Sequence, residues 1–198
     1  DPELTLSMPR ILAANTGMDA FASAFESYWS TEAQPMTDAI HLEVIRLYSN
    51  NLERSCNVGD LESRSACALA STIAGISYSN SRANVCHAVG SPLTLFWNVE
   101  HGQSVVIALP PFLRWNAKTF EYRQAALWEA LGVRDLDGAT ARITEMTENI
   151  GLESRLSGLG LGSGDMDTLL DNVRWDLLET MPRPIQSEEA RGLLEGIM

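Results

Sequence analysis

Positive charge is what this sequence has least of. Fourteen lysines and arginines stand against twenty-six aspartates and glutamates, a formal net charge of −12. Nucleic acid and anionic membranes are met by a basic face, so neither is expected as a partner. Long apolar runs are missing too: nothing approaches the roughly 20 residues that cross a bilayer. No basic segment followed by an apolar one marks a secretory signal. Cysteine is scarce. Cys56, Cys67 and Cys86 are odd in number and form no CxxC pair, which suits a reducing compartment and gives a cytoplasmic expectation. No internal repeat, low-complexity tract or domain boundary is visible. A strand followed by GxGxxG and a helix is also lacking. The glycine-rich run Gly158–Gly164 has no strand before it and no Gly-Lys-Ser/Thr to close it, so it reads as a flexible turn.

What remains is an ordinary globular composition, 198 residues with 45% apolar and 20% charged side chains. That is enough for one domain with a real core. The periodicity is helical. Residues 1–10 read as extended up to Pro9, and Ile11 opens the first helix. After a Thr16-Gly17 turn, a second helix runs from about Asp19 to Trp29. Thr37 or Asp38 caps the next, near 38–50, with Ile40, Val44, Ile45 and Leu47 inward and His41 facing solvent. The helix from Leu61 to about Ser77 is rich in small residues and is expected at the centre of a bundle. Ser104–Leu109 is apolar and β-branched, a strand or a buried helix by pattern alone; helix is preferred because no partner strand exists. Further helices are expected at 122–131 (stopping at Gly132), 138–149 and 165–175, with a last one from Ser187. The fold class is all-α, one helical domain over residues 1–198.

Two of the three histidines, His87 and His101, fall within Arg82–Gly102, fourteen positions apart (101 − 87). Gly90, Ser91 and Pro92 between them predict a bend that brings the imidazoles together. Neutral imidazole suits zinc and iron, but two donors do not make a site, and a structural pair is the commoner occurrence. Asp19 is the candidate third donor. Its place at the start of a helix equally suits a simple cap. Cys86 adjoins His87 but points elsewhere on a helix, which makes it a buried bystander.

TGMDAFASAFESYWS, then HAVGSPLTLFWNVEHG, then LPPFLRWN, resembles the iron-dependent alcohol dehydrogenases, and nearly the whole chain takes part. The opening DPELTLSMP resembles the junction at which that family's C-terminal helical domain begins, a domain shared with dehydroquinate synthase-like enzymes. The resemblance implies that the chain is the metal-binding half of an NAD(P)-dependent alcohol dehydrogenase or aldehyde reductase. The nucleotide would be bound mainly by an absent α/β domain, and this half alone would be inactive. It implies Asp19, His87 and His101 as ligands of iron(II) or zinc(II), a homodimer or higher homo-oligomer, and a small alcohol or aldehyde as substrate. Two positions depart from the family: Ser23 stands at the fourth ligand, and Ser91 where another histidine is usual. Both departures look closer to the phosphonoacetaldehyde-reductase branch. For a phosphonate, Arg82, five before His87, and Ser91 are the candidate substrate-binding residues. The alternative is a non-enzymatic helical interaction module on which the metal site has decayed.

Overall fold

A computed structural model describes residues 1–198 as ten α-helices joined by loops and short 3-10 turns, with no β-strand. The expected all-α architecture is therefore the one found. Helix α1 (Arg10–Trp29) is covered on nearly every side from Ala13 onward, as a helix apolar all round must be. It packs against α2 (Pro35–Asn57), α3 (Leu61–Tyr78) and α5 (His101–Val106). Pro35 at the first position and the Thr37 hydroxyl, which accepts from the Gln34 N–H at 3.2 Å, start α2. Asp60 starts α3 by accepting from the Ser63 N–H at 3.1 Å. Helix α4 (Val85–Trp97) is capped by Asn84, whose side chain accepts from the Val85 N–H at 2.8 Å.

The second half packs around this group: α6 (Leu109–Asn116), α7 (Gln124–Leu131), α8 (Leu136–Asn149), α9 (Met166–Asp171) and α10 (Ser187–Glu195). Gly132, at φ +78°, ends α7 as expected. One contiguous core runs from Ala13 to Leu194. At its centre Phe21 meets Phe25 edge-on, with centroids 5.0 Å apart, and Trp29 stacks on Phe120.

Several local expectations are corrected. Residues 2–5 form a 3-10 turn rather than an extended segment. The Thr16-Gly17 turn does not exist: α1 runs through it, and Gly17 is small because a Cβ there would lie 2.4 Å from Leu52. Asp19 thus sits in mid-helix, and neither the cap nor the dipole argument applies to it. Gly90-Ser91-Pro92 is helical as well. Pro92 cannot donate to the Ala88 carbonyl, which instead accepts from the Arg174 N–H at 3.2 Å. The chain reverses later, at Asn98, the one non-glycine residue with positive φ. Gln34, not Thr37 or Asp38, is the cap of α2. His41 is 1% exposed, because it shares a face with Val44, Ile45 and Tyr48 rather than with Glu43 and Arg46. Helix α3 buries Ala70 and Ala74 but exposes Leu69 and Ile76, so it lies at the outside of the bundle. The expected helix 165–175 is α9 followed by a separate 3-10 turn at 175–180.

Candidate metal centre

Two close backbone approaches and one shared helix face build the site. Asp19 and Ser23, four apart on α1, share a face. His101 is the first residue of α5, and Gly102 behind it lies directly on α1: a Cβ there would be 1.8 Å from the Asn15 carbonyl oxygen. The Asn15 side chain fixes that contact by accepting from the Gln103 N–H at 2.9 Å. On the other side, a Cβ on Gly90 would meet Ser104 at 3.0 Å, so α4 rests on α5 and carries His87 towards His101.

The outcome is a convergence of three donors. Asp19 Oδ1 lies 3.3 Å from His87 Nε2 and 3.8 Å from His101 Nε2. One donor atom from each residue falls within 4.8 Å of the others. The two imidazole centroids are 5.4 Å apart. Ser23 Oγ sits 3.5 Å from His87 Nε2. These residues face a cleft of about 440 Å³, whose walls also carry Thr16, Ser71 and Tyr78. The Asp19 and His101 side chains are 37% and 49% exposed, and His87 is 14% exposed, so an ion or small molecule can enter from solvent.

Glu26, which the sequence reading missed, lies behind His87. Its carboxylate is fully buried and spends both oxygens: Oε1 accepts from the Cys86 N–H at 2.5 Å, and Oε2 pairs with His87 Nδ1. The arrangement fixes the imidazole so that Nε2 faces the cleft. Burial works against a charge on His87, but Glu26 and Asp19 outweigh it and raise its pKa to about 10. Cys86 is the buried bystander expected. Desolvation, with Glu26 beside it, pushes its thiol well up and away from thiolate chemistry. A signal for Glu26 was present: it is the one charged residue in the stretch Phe21–Trp29, which is otherwise apolar apart from Ser23 and Ser27.

Comparison with known proteins gives the family. The model of the Fe-containing alcohol dehydrogenase family, C-terminal, matches residues 13–198. The chain belongs to that family. It is 33% identical to 1,3-propanediol dehydrogenase from Klebsiella pneumoniae over 174 residues, 83% of this chain and 45% of the relative. A solved 1,3-propanediol oxidoreductase superposes on all of it with TM-score 0.90 at 29% identity, the match covering 55% of that structure. Sulfoacetaldehyde reductase from Bifidobacterium kashiwanohense, solved with NAD+, gives 0.93 at 27% identity, over 100% of this chain and 53% of that one. The chain thus spans about half the length of the relatives it matches.

The iron-containing family implies a divalent metal and a nicotinamide cofactor. The donor set fits the metal, since one carboxylate and two imidazoles with space beside them is the open arrangement that iron(II) and zinc(II) take. Ser23 is close enough to interact but is a weak neutral donor. For the nucleotide there is no strand in these 198 residues, and so no strand–glycine loop–helix unit of the kind that binds pyrophosphate. The two candidates for a phosphonate stand apart from the cleft wall. Arg82 is exposed, and the Ser91 hydroxyl donates back to the His87 carbonyl at 2.8 Å within its own helix.

Proposed function

We propose that Asp19, His87 and His101 hold iron(II) or zinc(II), and that the chain is the metal-binding half of an NAD(P)-dependent alcohol dehydrogenase or aldehyde reductase. One observation carries the reading: three donors from α1, α4 and α5 converge within 4.8 Å, with a buried carboxylate behind one of them. A metal bound there supplies a Lewis acid towards an alcohol or aldehyde oxygen. The chain's own residues do the rest. Glu26 keeps Nδ1 of His87 occupied, Asp19 brings the compensating charge, and the small Ser23 side chain leaves one flank of the centre clear. Thr16, Ser71 and Tyr78 place hydroxyls along the wall that a substrate would touch. The finer reading is reduction of an anionic aldehyde, with phosphonoacetaldehyde as its short form. A structural relative named sulfoacetaldehyde reductase supports that class; the position of Arg82 outside the cleft wall does not support its grip on the phosphonate.

Anaerobic calorimetry with iron(II), and separately with zinc, tests the site. One ion per chain is expected, with binding abolished in His87→Ala and in His101→Ala. Glu26→Gln should weaken it about 10–100-fold, the usual cost of losing a group that orients a metal ligand. An amide offers one acceptor where two N–H groups need two. Absence of heat, or equal affinity in the histidine variants, overturns the proposal.

A further inference from the structure

A second cavity, of about 270 Å³, continues the cleft along the seam between α1 and α3 and shares Thr16 and Ser71 with it. On α1 the lining passes from Ala13 through Thr16 to Asp19, and on α3 from Ala68 through Ser71 to Gly75. Steps of three or four residues keep each set on one helix face, so the two hollows are one furrow that changes character midway. The cleft end carries the three donors. The cavity end is mostly apolar, walled by Met8, the Tyr48 ring, Leu52 and Ala68, and no carboxylate lines it. Two of its hydroxyls are spent on their own backbone turns: Thr16 Oγ1 donates to the Leu12 carbonyl at 2.8 Å, and Thr5 Oγ1 to the Pro2 carbonyl at 2.7 Å. Its one charged residue, Arg64, is 4% exposed; Nη2 is held by the Met8 carbonyl at 3.0 Å, and Nε and Nη1 have essentially no accessible surface. Such a hollow rejects ions and accepts hydrocarbon.

We propose that this cavity holds the apolar tail of a primary alcohol or aldehyde whose oxygen lies in the histidine cleft. The placing of the oxygen rests on the proposed function; the tail cavity does not. Ala13 and Asp19 are six residues apart (19 − 13) on α1, about 9 Å along the axis at about 1.5 Å per residue. An extended chain advances about 3.5 Å for every three bonds, so a tail of about six to eight carbons spans that distance. The volume agrees, since a cavity of about 150 Å³ already takes benzene. A two-carbon anionic aldehyde would leave the cavity empty, so the two substrate classes are separated by chain length as well as by charge.

The test titrates the metal-free chain, 13C-labelled at its methyl groups, with ethanol, 1-butanol and 1-hexanol. The Met8 and Leu52 methyl resonances should shift and saturate with 1-hexanol, while those of the exposed Met36 and Leu95 should drift linearly if at all. Affinity should rise about 3–4-fold per added methylene, the worth of burying a CH2 group. Ala68→Phe, which puts a ring into the cavity, should weaken 1-hexanol at least about 10-fold, the loss of about two buried methylenes, and leave zinc binding intact. Should that variant fail to fold, xenon pressed into a crystal of the unaltered protein provides the second readout, an anomalous peak beside Leu52. Unshifted Met8 and Leu52 methyls, equal affinity for ethanol and 1-hexanol, or no xenon there overturns the cavity. With zinc added, 1-hexanol should bind at least about 10-fold more tightly than without it, and benzene, which has no oxygen, equally in both. Binding of 1-hexanol beside Leu52 that zinc does not change would uphold the cavity and overturn the shared ligand. Zinc binding with no methyl shift would uphold the metal centre and overturn the cavity.

Discussion

Two buried titratable side chains show how differently the same fold treats charge. Glu26 is buried with a partner for each oxygen, the Cys86 N–H and His87 Nδ1. His41, equally buried, has its Nε2 3.3 Å from the Ser81 hydroxyl and nothing at Nδ1. Burial first, and the Arg123 charge second, lower its pKa from 6.5 to about 4. The folded protein therefore resists a proton that the unfolded chain accepts. His41's contribution is complete above pH 6.5, is lost as pH falls from 6.5 towards 4, and is constant below that. At about 1.4 kcal/mol per pH unit, the loss across that window comes to about 3 kcal/mol. Urea unfolding at pH 7.5, 5.5 and 4.5 should show it as a fall that His41→Leu removes. If the variant keeps the same pH slope as the parent, His41 is not the group responsible.

Among the helices, α1, α4 and α5 are held at backbone contact, and Gly102 is where this is tightest. An alanine Cβ at that position would overlap the Asn15 carbonyl, which belongs to the covered helix at the centre of the molecule and cannot retreat. Gly102→Ala should therefore cost more than the usual 1–3 kcal/mol of overpacking and displace His101. Gly192→Ala, on an open helix surface, should instead stabilise by about 0.5–1 kcal/mol. Chemical denaturation of the two variants measures both, and a neutral Gly102→Ala would show that α5 can slide on α1. The same contacts explain what the sequence made legible. Helix positions could be read, because periodicity carries them; Asp19, His87 and His101 came together as proposed ligands only through the family resemblance, since residue type alone also suits a cap and a structural histidine pair. The path between the donors could not. Gly17 and Gly90-Ser91-Pro92 look like breaks in a sequence, yet the first makes room for Leu52 and the second is rescued by Arg174, some eighty residues away. Arg64 and His41 were misjudged or overlooked for a related reason: burial of a polar side chain is decided by which helix lands on it.

For the whole molecule, the decisive fact is that the proposed metal donors come from positions 19, 87 and 101 and meet only when the bundle is assembled. An unfolded chain holds them too far apart to share an ion, so a metal binds the native state alone and stabilises it by mass action. At free metal one hundred times Kd this amounts to about 2.7 kcal/mol. For a protein of this size each kcal/mol moves Tm by about 2–4 °C, so calorimetric scans should show a rise on the order of 5–10 °C. The net charge of −12 will attract any divalent cation, and that general effect must be separated from the site. Magnesium makes the separation, because it prefers oxygen ligands and keeps its water. Zinc should raise Tm, magnesium at the same concentration should not, and His87→Ala should erase the zinc effect. A rise that magnesium reproduces, or that survives His87→Ala, would assign the stabilisation to the acidic surface and leave the histidine cleft without its metal.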